Sequence, residues 1–259
     1  MESGDFLSLL RERGQLPPAP ILAKPAGVEA TEGTTILALR YRDGVLVAGD
    51  RRATMGNLVV HDRADKVLSV DDRAVLALSG SPASAYEIAR LLETSFQHYR
   101  RSQLQELSLD GKLRILSRLL RENLPMALQG IGAVIPIFAV YDAEADNGKI
   151  FFYDLLGAQF ESVDFCTTGS GAPIIRGALY YLNRWGPRPL AELSEPEALA
   201  LALKMLETAA EYDTATGGAN PGARVFPQVL LLRARGIDAV AEPELETLCR
   251  AFLQRPAGS

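Results

Sequence analysis

Strand-length apolar runs and pairs of helix-length segments alternate in this chain, and that order restricts its fold more than any other feature. From Thr34 to Tyr41 the sequence is β-rich, Asp43-Gly44 is a hairpin turn signal, and Val45 to Ala48 is the return strand. Lys66 to Val70 and Ala74 to Ser79, joined by Asp71-Asp72-Arg73, read as a second hairpin. Two helices follow. Pro82 to Arg101 carries Ala85, Ile88, Ala89, Leu92 and Phe96 at helical spacing. A segment capped by Ser108 or Asp110 and running to about Leu128 carries Leu113, Leu116, Leu120 and Leu124. Strands return at Ala133 to Asp142 and Lys149 to Leu155, around the turn Asp146-Asn147-Gly148. Two more helices are expected at Pro173 to Trp185 and Ser194 to Tyr212. Val225 to Ala234 and Asp238 to Val240 read as late strands, and Glu242 to Leu253 as a terminal helix. Strands in adjacent runs with paired helices between them suit an α+β fold, a sandwich of antiparallel sheets with helices on both outer faces. Regular βαβ alternation, and with it a parallel sheet, is rejected. No repeat of solenoid period is present.

Residues 1 to 33 differ in character. Pro17, Pro18, Pro20 and Pro25 cluster there, and only Phe6 to Leu10 reads as a helical turn or two. Prolines fix φ and remove donors, so Gln15 to Lys24 should be extended and poorly paired. The segment reads as a leader rather than a domain, and lacks the long apolar stretch of a secretory signal.

With 47% hydrophobic and 23% charged residues the chain has the composition of a packed globular protein, and its net charge of −5 argues against nucleic acid or an anionic membrane as partner. No segment has the ~18 apolar residues of a membrane helix, so a cytoplasmic protein is expected. Cys166 and Cys249 are far apart and read as buried, reduced thiols; with only His61 and His98 besides, no metal-ligand spacing is present. Neither histidine sits in a recognisable hydrolase context.

Three chemical groups stand at strand ends. Thr34 follows Gly33 and opens the first strand, Asp50 closes the second, and Lys66 heads the third. A threonine hydroxyl is a weak nucleophile that needs a nearby base. Cleavage between Gly33 and Thr34 would free an α-amine of pKa ~7.7–8.0 on the same residue, within proton-transfer reach directly or through one water. A lysine beside it would lower the pKa of amine and hydroxyl, and an aspartate would keep that lysine charged and in place. The leader then has a purpose: it blocks the amine until it is removed. Gly33 leaves the scissile peptide unencumbered and able to take up a strained turn.

Gly33-Thr34-Thr35-Ile36-Leu37-Ala38-Leu39, Gly49-Asp50-Arg51-Arg52-Ala53-Thr54 and Lys66-Val67 together resemble the proteasome β subunits, closest to the bacterial, actinobacterial-type 20S form, from Thr34 to about Glu246. The resemblance implies a four-layer αββα sandwich of the N-terminal-nucleophile hydrolase fold. It also implies a propeptide, 1–33, removed by self-cleavage at Gly33-Thr34, and a catalytic domain over 34–259. Thr34 would be the nucleophile with its own amine as base, and Asp50 and Lys66 match the family's acid and lysine. The N–H of Gly80, within Ser79-Gly80-Ser81, matches the oxyanion donor. Ser170 and Asp213 match the family's serine and second aspartate, and Thr216 stands where most members carry serine. The turn from Asp213 to Gly218 also reads as a helix stop with left-handed glycines.

In the family the substrate adds as a strand beside the residues after the Asp50 strand, which points to Ala53 and Thr54 on one side and Gly80 to Pro82 on the other. Ala53, Ala64, Leu68 and Leu78 would line the first specificity pocket, implying cleavage after apolar residues, a chymotrypsin-like preference. The implied partners are a homo-heptameric β ring, rings of α subunits, a hexameric ATPase and a protein-tag modifier, with no cofactor. Three rival readings are weighed. An inactive ring scaffold would be expected to lack the threonine or lysine that this chain keeps. The two-ring ATP-dependent threonine peptidase has a shorter mature chain and a minimal leader. Small-molecule amidases of the wider class lack the Asp-Arg-Arg-Ala-Thr run.

Overall fold

The computed structural model describes residues 33–55, 58–130 and 132–253. Apart from Gly33, the expected leader lies outside the described residues. Among the described residues, twelve strands and five α-helices are arranged as two five-stranded antiparallel sheets with a small hairpin beside them. The first sheet has the order β10-β1-β2-β11-β12, formed by β1 (Thr35–Tyr41), β2 (Gly44–Gly49), β10 (Phe165–Gly169), β11 (Gln228–Arg233) and β12 (Gly236–Ala239). The second, β5-β6-β7-β8-β9, contains β5 (Val67–Asp71), β6 (Ala74–Ala77), β7 (Ile137–Asp142), β8 (Asn147–Tyr153) and β9 (Gln159–Ser162). The hairpin pairs β3 (Ala53–Met55) with β4 (Leu58–His61).

Three apolar layers hold these sheets together. Ile36, Ala38, Val45, Val47, Val67, Val75 and Ile137 meet between the sheets. Leu37, Leu39, Leu46 and Leu231 face outward from the first sheet. They pack on α3 (Ala172–Trp185), α4 (Glu195–Tyr212) and α5 (Glu242–Leu253), through side chains such as Ile175, Leu203 and Leu245. Leu76, Phe138 and Tyr153 face outward from the second, against Leu92 and Leu116 of α1 (Pro82–Gln103) and α2 (Leu109–Leu128). A strand covered on both faces needs no polar side, which is why Ile36-Leu37-Ala38-Leu39 is apolar throughout rather than alternating. The four-layer αββα sandwich is the architecture expected.

Local chemistry sets the element ends. Ser108 is the N-cap of α2, its Oγ accepting from Gly111 N–H at 3.2 Å, so the choice between Ser108 and Asp110 falls to the serine. Pro136 stops the ladder, and β7 starts at Ile137 rather than Ala133; Val134 is left as an isolated bridge partner of Gly80. Helix α4 ends at Asp213 in an extended conformation (φ −122°, ψ 108°), and neither Gly217 nor Gly218 takes the left-handed region expected of a helix stop. Gly217 is small for another reason: a Cβ there would lie 2.8 Å from Cβ of Arg52. Cys166 and Cys249 are free and buried, with thiol pKa values pushed up by burial to about 11 and about 12.

Candidate active site

The turns at one end of the sandwich bring Thr34, Asp50 and Lys66 together. β1 and β2 pair in a register that sets Ile36 opposite Gly49, so Thr35 and Asp50 emerge side by side where the hairpin opens. Asp50 is fully buried, and both carboxylate oxygens are saturated. Oδ1 accepts from Thr35 N–H at 2.8 Å and Lys66 Nζ at 2.8 Å; Oδ2 accepts from the N–H groups of Arg52 and Gly217, each at 2.9 Å. A buried carboxylate is tolerated only with such compensation. Lys66 spends its three donors on Asp50 Oδ1, Arg52 O (2.5 Å) and Gly33 O (3.2 Å). Burial lowers its pKa from the ordinary lysine value, against the opposing pull of Asp50.

The Gly33–Thr34 peptide lies against this ammonium. Thr34 Oγ donates to Gly33 O at 2.7 Å, so a hydroxyl and an ammonium converge on one carbonyl oxygen. Space allows no other residue at position 33. A Cβ would lie 2.2 Å from Thr54 Oγ1 and 2.7 Å from Cβ of Ala215.

Ser170 holds the other side of Thr34, its N–H donating to Thr34 O at 2.8 Å, while its Oγ, 3.2 Å from the same oxygen, donates to Asp213 Oδ2 at 2.6 Å. That carboxylate oxygen also accepts from Thr216 Oγ1 at 2.5 Å. Thr35, absent from the sequence-derived set, completes this chain of hydroxyls. Its Oγ1 accepts from Gly171 N–H at 3.0 Å and lies 2.5 Å from Thr216 Oγ1. The one direction that satisfies every group runs Gly171 N–H, Thr35, Thr216, Asp213.

Gly80, just past β6, lines the same cavity as Thr34. Its φ of +108°, and the 2.1 Å that would separate a Cβ from Ala133 O, exclude any other residue. The flanking bonds, Ser81 N–H to Ala133 O and Ile135 N–H to Ser79 O, put Gly80 at a non-hydrogen-bonded position opposite Val134. Its own N–H therefore points away from Val134, the direction in which Leu78 N–H reaches Lys66 O.

A cavity of about 410 Å³ joins these groups, lined by Gly33, Thr34, Lys66 and Gly80 and by the expected Ala53, Thr54, Ala64, Leu78 and Pro82. Leu68 does not reach it. One step past Val67 on β5, opposite Leu76, Leu68 is partly buried and packs against the core beneath α1 and α2. Nor is the cavity wholly apolar: His61, Arg63, Asp65 and Tyr86 also line it. Asp65 is paired with Arg51 at 2.9 Å, and Tyr86 donates to Asp65 O at 2.9 Å. The hairpin β3–β4 supplies His61, at the end of a four-residue strand whose side chains, Leu58, Val59 and Val60 among them, are all exposed.

A threonine at the head of a strand, between two antiparallel sheets and beside a buried Asp–Lys pair, defines the class as that of the N-terminal-nucleophile hydrolase fold. The sequence profile described as Proteasome subunit matches residues 30–220, and the chain belongs to that family, a family of threonine endopeptidases whose members assemble the proteasome core from β and α subunits. It is 43% identical to proteasome subunit beta 2 of Thermomonospora curvata over 87% of this chain and 80% of that one. It is 36% identical to proteasome subunit beta of Streptomyces griseus over 97% and 87%, and 39% identical to that of Acidothermus cellulolyticus over 92% and 83%. Among the described residues, no helix is long and apolar enough to cross a membrane.

Proposed function

We propose that residues 1–33 are a propeptide, that Thr34 becomes the chain terminus, and that it then hydrolyses peptide bonds in unfolded proteins. The observation that carries this reading is the convergence of Thr34 Oγ, at 2.7 Å, and Lys66 Nζ, at 3.2 Å, on Gly33 O. Lys66 draws electron density from that carbonyl, and Thr34 Oγ adds to its carbon. The C–N bond breaks as the nitrogen takes up the hydroxyl proton, leaving an ester. Water then cleaves the ester, releasing the carboxylate of Gly33 and restoring the Thr34 hydroxyl beside the amine that the shift has freed.

The same parts serve a substrate peptide bond. The amine takes the hydroxyl proton as Oγ adds to the substrate carbonyl and returns it to the leaving nitrogen as the C–N bond breaks. Water then cleaves the resulting acyl ester and restores the hydroxyl, while Lys66 keeps the amine's pKa low. The N–H of Gly80 receives the developing oxyanion, a contribution of about 3 kcal/mol when such a donor is aligned. Ser170, Asp213 and Thr216 fix the Thr34 backbone.

Cleavage after apolar residues is favoured by the Ala53, Ala64, Leu78 and Pro82 walls of the cavity and by the internal pairing of Asp65. Peptides with apolar, acidic and basic residues before the scissile bond test this directly, and faster turnover of a charged one refutes it. The assembly proposed is a cytoplasmic stack of a seven-membered β ring under α rings, fed by a hexameric ATPase, with a protein tag marking substrates. Thr34→Ala is expected to abolish both peptide turnover and leader removal in the assembled particle. Turnover in that variant would refute the catalytic assignment.

A further inference from the structure

Asp50 and Lys66 stand at the ends of strands in different sheets, and one side chain joins those sheets beside them. Gln228 opens β11 and pairs in register with Gly49, the residue before Asp50. Its Oε1 crosses to the edge strand of the other sheet and accepts from Lys66 N–H at 3.1 Å and Val67 N–H at 3.0 Å. Two donors on one atom identify that atom as the oxygen, because the amide nitrogen has nothing to offer them. β5 is an edge strand, and Gln228 supplies the acceptor where no strand lies alongside. Gly49 brings the strands close: a Cβ there would lie 3.0 Å from Cγ2 of Ile36, 3.2 Å from Cγ2 of Val67 and 3.6 Å from Cβ of Lys66.

We infer that Gln228 is a positioning residue: by clamping the backbone of Lys66 to the strand that carries Asp50, it sets where the ammonium sits. It touches neither Thr34 nor the cavity. The inference rests on the catalytic reading above, since it is the ammonium at Thr34 that the clamp aims.

The test uses the full chain assembled with its α-type partner and a short apolar fluorogenic peptide, with kcat, KM and the pH dependence of kcat/KM measured. Gln228→Met keeps the length and removes the acceptor; Gln228→Glu keeps the acceptor and adds a charge. Gln228→Met is expected to lower kcat about tenfold, the factor of one modest misplaced interaction, with KM nearly unchanged. Gln228→Glu is expected to retain most of kcat while its acid limb moves to higher pH, because a carboxylate near Lys66 favours the protonated amine. If Gln228→Met fails to assemble, the limb shift in Gln228→Glu decides alone. Full kcat in Gln228→Met, or an unshifted limb in Gln228→Glu, overturns the inference. Thr34→Ala run alongside separates the two levels: an inert Thr34→Ala with an unaffected Gln228→Met sinks the clamp only, while an active Thr34→Ala sinks both.

Discussion

Asp50 has no exposed side-chain surface and Lys66 very little, so each is tolerable only because of the other and of the backbone donors around them. Replacing Lys66 with methionine leaves the carboxylate buried with its cation gone. A loss of about 3 kcal/mol is expected in urea unfolding, together with loss of turnover and of leader removal. A Lys66→Met chain that processes itself would contradict the role given to the ammonium. The pH dependence follows from the same groups. Once free, the Thr34 amine must be unprotonated to accept a proton, so activity rises with pH through its pKa, which the cation holds below the ~7.7–8.0 of an ordinary terminus. Lys66 is itself shifted down from 10.5, mainly by desolvation, so its charge is lost at a pH below the ordinary lysine range. The profile of kcat/KM on a short peptide should therefore be a bell with both limbs displaced toward acid. Limbs at the unshifted values would show that the pair does not govern the amine.

At the scale of elements, the outer helices hold the second sheet in place through a few fully buried side chains. Leu116 of α2 is one of them, packed among Leu92, Phe138 and Tyr153. Leu116→Ala should cost about 3 kcal/mol in thermal or urea unfolding while leaving the peptide KM nearly unchanged, since Leu116 does not line the cavity, which the helix layer borders through Pro82, Ala85 and Tyr86 at the start of α1. A KM change as large as the stability change would mean that α2 shapes the site as well as the start of α1. Those helices were readable because their apolar residues recur at helical spacing over many turns, and β1 and β2 because of a turn signal between apolar runs. The strands that escaped notice are short or exposed. β4 presents four exposed residues, and β9 lies at a sheet edge with three of its four side chains outward, so neither carries an alternating pattern. β10, Phe165–Gly169, is five residues whose hydrogen bonds come from β1, more than a hundred residues earlier. Leu68 misled for a related reason. A strand residue's face depends on pleat and register: Val67 points between the sheets, and one step along β5 turns Leu68 to the opposite face, against the core beneath the helices.

For the molecule as a whole, the site is built from segments that span nearly the entire described chain, from Gly33 to Gln228. Thr34, Asp50 and Lys66 were legible because Gly-Thr, Gly-Asp and Asp-Lys fall at the ends of recognisable strands. Thr35, Arg52 and Gln228 were not, because their work is hydrogen bonding between distant segments: Thr35 to Thr216, Arg52 to the carbonyls of Thr214 and Thr216, Gln228 to Lys66. All of this geometry serves one event, the release of a terminus at position 34. The most direct test is the intact mass, or the first residue by Edman degradation, of the chain recovered from an active assembled particle. The account predicts a chain beginning at Thr34, with Thr34→Ala retaining its leader; an active particle whose chain still carries residues 1–33 would contradict it.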